Sequence, residues 1–160
     1  MRKLVIDNEE LFGRVVELLQ EGREVTIPSK GFSMLPFIRG ERDLVVLERA
    51  DEIKPGDIVL FRLDGRYILH RVMDADGALV ETMGDGILQT RESCPRRQVY
   101  GRAVGILRDG KRRVDPNGRW QRFWVGAWWG LLPVRRWLLA IYRRLPWNGW
   151  LREQYKQITK

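Results

Sequence analysis

The hydrophobic positions of this chain change their period along its length, and each change marks a different kind of structure. Between residues 8 and 21, Leu11, Val15, Leu18 and Leu19 recur at helical spacing while Glu9, Glu10, Arg14, Glu17 and Glu21 occupy other positions. The pattern predicts one amphipathic helix with Asn8 as its N-cap and Gly22 as its stop. Residues 24–27 read as a short strand and lead into the turn-rich Pro28-Ser29-Lys30-Gly31. Short apolar runs then follow at 43–47, 57–62, 67–73, 78–83 and 99–107, separated by Gly, Pro and Asp. Such spacing predicts a mainly β core, with Lys54-Pro55-Gly56-Asp57 as a tight turn and Asp64-Gly65 as a hairpin turn. Past the polar stretch 109–119, residues 120–142 return to helical spacing in one or two pieces, with Pro133 and Pro146 as breakers or helix starts.

Charge divides the chain at the same place. Residues 1–110 carry 17 basic and 19 acidic side chains, whereas residues 111–160 carry 12 and 2, so the net charge of +8 resides in the tail. All seven Trp lie there too, from Trp120 to Trp150. The expected organisation is an N-terminal helix with a lead-in strand (1–27), a β-core (28–110) and a basic, Trp-rich helical tail (111–160). One Cys, Cys94, excludes an internal disulfide, and with one His, His70, the chain lacks the three or four ligands of a zinc site. No Gly-rich phosphate loop is present, so neither metal nor organic cofactor is expected. The basic start Met1-Arg2-Lys3 is followed by only three apolar residues before Asp7, which is no signal peptide, and no window reaches the ~18 apolar residues of a membrane-spanning helix.

Candidate chemistry centres on three residues that are unremarked alone. Ser33 lies in a Gly- and Pro-flanked loop, where serines are mostly solvated turn residues. In the run 67–73, His70 shares a face with Ile68 and Val72 while Arg71 points the other way, and a lone His on an apolar face is usually a core residue. Asp85, in Met83-Gly84-Asp85-Gly86, would ordinarily be a turn aspartate. Their order changes the reading. Gly31-Phe32-Ser33-Met34-Leu35-Pro36, then Lys54-Pro55-Gly56-Asp57, then His70-Arg71-Val72, then Gly84-Asp85 resembles the S24/S26 peptidases, the clan of type I signal peptidases and LexA-like self-cleaving proteins. The resemblance covers residues 28–107.

That resemblance implies a small signal-peptidase-like, LexA-like β-core, with Ser33 as nucleophile and His70 as general base. Histidine stands there in the archaeal and endoplasmic-reticulum enzymes, where the usual bacterial members have lysine. It implies Asp85 as the acidic partner that holds the imidazole in its tautomer. Gly31 stands where many relatives have a Ser or Thr oxyanion donor, so the oxyanion hole would rest on main chain at Gly31, Ser33 and Met34. Gly86 and Ile87 replace the Asn that usually follows the Gly-Asp box. Lys30 and Lys54 are the nearby lysines that could compete as base; Lys54 reads as solvated and Lys30 as too close in sequence.

The expected activity is therefore that of a serine endopeptidase cutting a leader, signal-like or precursor peptide. The alternatives are a self-cleaving regulator, which needs a Lys base and a cleavage segment, and a non-catalytic module binding a membrane surface or nucleic acid. Signal peptidases normally carry a spanning helix before the nucleophile; here a charged amphipathic helix stands instead, so the expected place is the cytoplasm, at the inner membrane face. The expected partners are a peptide substrate and, through residues 120–151, a lipid interface where Trp sits at headgroup level and Arg faces anionic lipid. Nucleic acid is the weaker reading of the same ingredients, and packing of the aromatics over the β-core is the competing one.

Overall fold

The computed structural model describes residues 8–145; Pro146, Trp147, Trp150 and the rest of the tail expected at the lipid interface lie outside the described residues, as do residues 1–7. Helix α1 (Asn8–Gln20) stops at Gly22 as the sequence indicates. The expected strands are all present: β1 (Val25–Pro28), β2 (Leu44–Arg49), β3 (Ile58–Leu63), β4 (Arg66–Asp74), β5 (Leu79–Met83) and β7 (Val99–Arg108). Two further strands carry no apolar run in the sequence, β6 (Glu92–Pro95) and β8 (Arg112–Val114). All eight join one antiparallel sheet in the order β1-β2-β7-β3-β4-β5-β6, with β8 on β7. The sheet thus continues to Val114, past residue 110.

Strand β3 explains why the core is two-sided. Its run Ile58-Val59-Leu60-Phe61 is buried throughout, and because side chains alternate across a strand, Ile58 and Leu60 join one cluster while Val59 and Phe61 join another. The first cluster takes Val15 and Leu19 from α1, Ile27 from β1 and Met34 and Ile38 from the segment after β1. The second takes Val72, Val80 and Cys94. Full burial of each such side chain is worth roughly 1.5 to 3 kcal/mol. Cys94 is a free thiol whose pKa burial, with Glu92 nearby, pushes up to about 11. The β3–β4 hairpin turns at Asp64 (φ 48°) and Gly65 (φ 75°), both left-handed as the Asp-Gly pair of a two-residue turn requires.

The tail forms α2 (Arg119–Gly130) and α3 (Arg135–Arg144), separated at Pro133. Each helix has a docked side. Val125, Trp128, Leu139 and Tyr142 face inward, the last three packing on Phe32 and Leu35. Arg135, fully buried, donates to the Ile87 carbonyl and lies over the Trp129 ring at 4.5 Å. The aromatics of the tail therefore divide between a side packed on the core and a side facing outward. No described helix is long and apolar enough to cross a membrane.

Candidate active site

Ser33 rides on a loop whose base is pinned by buried polar groups. Ser29 Oγ donates to the carbonyls of Asp43 (2.8 Å) and Arg39 (3.0 Å), closing the loop between them. The Asp43 carboxylate accepts from the Arg39 main chain (2.9 Å) and from the guanidiniums of Arg39 (2.9 Å) and Arg108 (2.7 Å). Burial opposes ionisation of Asp43, but these donors outweigh it and hold its pKa below the ordinary carboxylate value. Ser29, Arg39 and Asp43 went unread in the sequence, although a Ser and an Asp flanking a Pro- and Gly-rich loop are the residue types that close one.

At its tip the loop is held from the other side. Gly86 N–H donates to the Ser33 carbonyl at 2.8 Å, and a Cβ on Gly84 would sit 2.3 Å from that same oxygen, so the main chains touch and only glycine fits. Gly84→Ala is accordingly expected to destabilise the fold by about 1 to 3 kcal/mol, read as a lower urea midpoint, and to reduce whatever activity depends on Ser33 by displacing its backbone. The Ser33 hydroxyl makes no hydrogen bond among the described residues, and the Ser33 and Met34 N–H groups take no backbone acceptor in this turn.

Asp85 does not carry the contact to His70 that the sequence reading gives it. Its carboxylate is fully buried and grips Arg71 in a two-point pair, Nε to Oδ1 at 2.8 Å and Nη2 to Oδ2 at 2.7 Å. Arg71 in turn donates to the Gly56 carbonyl at 2.8 Å. The reason is strand alternation: Arg71 points to the side of β4 opposite His70, and the Gly-Asp turn lies on Arg71's side. Trp128 and Trp129 complete the enclosure, their Nε1 groups donating to the Asp85 carbonyl (2.9 Å) and Oδ1 (3.3 Å). The Lys54–Asp57 turn joins the same framework, since Gly56 N–H donates to the Val72 carbonyl and Val72 N–H to the Asp57 carbonyl, both at 2.8 Å.

His70 meets a different carboxylate. Its Nδ1 lies 2.7 Å from Glu92 Oε2, close enough for a charge contact though without hydrogen-bond alignment. Glu92 arrives through strand β6, which pairs with β5 at Thr82, itself opposite Val72 of β4. Burial is the largest influence on His70 and lowers its pKa below the ordinary ~6.5, against the upward pull of Glu92 and, more weakly, Asp85. The imidazole is thus neutral at neutral pH, and a carboxylate at Nδ1 favours the tautomer with the proton there, leaving Nε2 to accept one. No hydrogen bond joins His70 to Ser33. Ser33 meets the other face of β4: Tyr67 and Leu69 line a cleft with Ser33, and Arg71, opposite His70, holds the Asp85 turn that clamps Ser33. The structure therefore does not bring Ser33 and His70 together as the sequence leads one to expect. Lys54 is exposed and pairs with Glu52 at 3.3 Å.

The cleft encloses about 290 Å³ and is mostly apolar. Leu11 and Phe12 of α1, Ile27 of β1, Met34, and Tyr67 and Leu69 of β4 form its walls, with Gly31 and Ser33 on its rim. It lies beside β1, which among the described residues pairs with β2 alone and stands at the edge of the sheet. Such an edge beside an apolar slot suits an extended peptide.

Residues 13–81 match the family model described as Peptidase S24-like. The match contains Ser33 and His70, covers less than half of the chain, and marks a likeness to the S24 family that points to peptidase activity in general. It ends before Asp85, Glu92 and the tail. No curated protein matches the chain.

Proposed function

We propose that the protein is a serine endopeptidase that cuts an extended leader, signal-like or precursor peptide, with Ser33 as nucleophile and His70 as general base. What supports this reading is a buried His70 with a carboxylate at Nδ1, together with Ser33 on the rim of an apolar cleft. Serine needs a base to become nucleophilic, and a neutral imidazole supplies it near pH 7. Histidine at this place is the arrangement of the archaeal and endoplasmic-reticulum signal peptidases that the sequence resembles. The peptide would lie beside β1 and β4 with an apolar side chain in the cleft. Ser33 Oγ would attack the scissile carbonyl while Nε2 takes its proton, and the oxyanion would meet the N–H groups of Ser33 and Met34. Catalytic hydrogen bonds often close only around bound substrate; because His70 and the Gly-Asp turn that touches Ser33 lie on opposite sides of β4, this reading requires substrate to bring the Ser33 loop to His70. The imidazolium would hand that proton to the departing amine as the C–N bond breaks, leaving an acyl-enzyme at Ser33 that water, activated at the neutral imidazole, hydrolyses.

Digestion of a library of unstructured peptides by the full chain, read by mass spectrometry, should show new termini at internal bonds. Intact peptides throughout would overturn the proposal. Glu92 rather than Asp85 is the positioning residue for His70 in this reading. Glu92→Gln removes the charge that raises the His70 pKa, so the acid limb of the pH–rate profile should move to lower pH. The maximal rate should fall about tenfold or more, since the imidazolium formed on proton transfer loses its counter-charge. An unmoved acid limb would detach Glu92 from the mechanism.

A further inference from the structure

The outward sides of α2 and α3 expose apolar and aromatic side chains, and the same helices expose arginines. Nine of the twelve exposed large apolar side chains among the described residues fall between 120 and 141. On α2, Trp120 (72% exposed), Phe123 and Trp124 form one cluster, their ring centroids 5.6 to 5.9 Å apart. From Val134, the residue that caps α3, Trp137 (68% exposed), Leu138 and Ile141 follow at i+3, i+4 and i+7, a single helical stripe. The opposite stripe, Arg135, Leu139 and Tyr142, is the one docked on the Ser33 loop. Each helix therefore has two apolar sides, one already covered. A cluster of exposed rings on one helix and an exposed apolar stripe on the next mark surfaces that have a partner more often than bare solvent-facing ones.

Charge selects the partner. On α2 and α3, Arg119, Arg122, Arg136 and Arg144 are exposed, Arg135 is buried on the docked side, and neither helix holds a carboxylate. A second copy of this chain would bring like charge against like, and residues 146–160 add Arg152, Lys156 and Lys160 against Glu153, so neither complements the face. Nucleic acid would suit the arginines, but here the rings stack on one another and share their stripe with Leu and Ile, which offer bases nothing to stack on. Exposed aromatic rings and branched aliphatics on helices that also expose arginines and hold no carboxylate fit the interface of a bilayer that contains anionic lipid. From this we infer that the outer face of α2 and α3 seats the protein on an anionic membrane surface, lying along it without spanning. The inference stands on the tail's own geometry, apart from the peptidase reading.

The full-length protein should sediment with vesicles of phosphatidylglycerol and phosphatidylcholine in equal parts, with a blue shift in Trp emission. It should bind far less to phosphatidylcholine alone, and added salt should release it. The triple variant Trp120→Gln, Phe123→Gln, Trp124→Gln alters only exposed positions, so its circular dichroism should match the parent's while its vesicle affinity falls at least about tenfold. No sedimentation of the parent, or equal sedimentation of the folded variant, overturns the inference. So does concentration-dependent self-association that the same variant abolishes, because the face is then a contact between copies.

Discussion

Ser33→Ala is expected to lower peptide cleavage by at least about a thousandfold while leaving the fold in place. Removing a nucleophile leaves only what binding and oxyanion contacts supply, and in serine peptidases that residue of activity is small. The structural cost is slight, because Ser33 is only half-buried and its hydroxyl makes no hydrogen bond among the described residues. The Ser33 carbonyl, which accepts from Gly86, is untouched. Peptide digestion and a urea melt of the same preparation check both halves. Cleavage at unchanged sites by a folded Ser33→Ala variant would remove Ser33 from the chemistry.

Asp85→Asn is expected to act on stability first. The pair it breaks is buried on both sides, with the Arg71 side chain 3% exposed and the Asp85 side chain 0%. An amide keeps the shape but leaves the guanidinium uncompensated, a loss of about 3 to 5 kcal/mol. The urea midpoint should fall with little change in slope. Because Arg71 also holds Gly56, and the Trp128 and Trp129 indoles both donate to Asp85, the β4 region and the tail should loosen together. Should the variant instead keep its stability and lose its cleavage, Asp85 acts on His70 directly and the role given to Glu92 fails.

These two variants also separate what could be read in the sequence from what could not. The period of the apolar residues located α1 and six strands, because those elements bury one face or two. Strands β6 and β8 were invisible: Glu92-Ser-Cys-Pro and Arg-Arg-Val contain no apolar run, and they form because a neighbouring strand offers an edge. The miss mattered for the site, since β6 is what delivers Glu92. Alternation along β4 placed His70 and Arg71 on opposite faces, yet which face the Gly-Asp turn would meet depends on long-range closure of the sheet. The Asp43 network was hidden for the same reason, as Arg39, Asp43 and Arg108 converge only once β2 and β7 pair. Composition isolated the tail, whereas its split into a docked stripe and an outward one needed the structure.

The Ser33 loop has a covered side and an open side. Phe32, Leu35 and the Gly84–Ile87 turn lie under α2 and α3, while Gly31, Ser33 and Met34 border the cleft that α1 and β1 help to wall. Chemistry and selectivity are consequently housed in different stretches of chain. The groups proposed to make and break bonds lie between residues 33 and 92, but Leu11, Phe12 and Ile27, which shape the slot for a substrate side chain, precede residue 28. Exchanging the first helix and strand for another pair of matching core face would retune which peptides are accepted while the bond-breaking groups stay as they are.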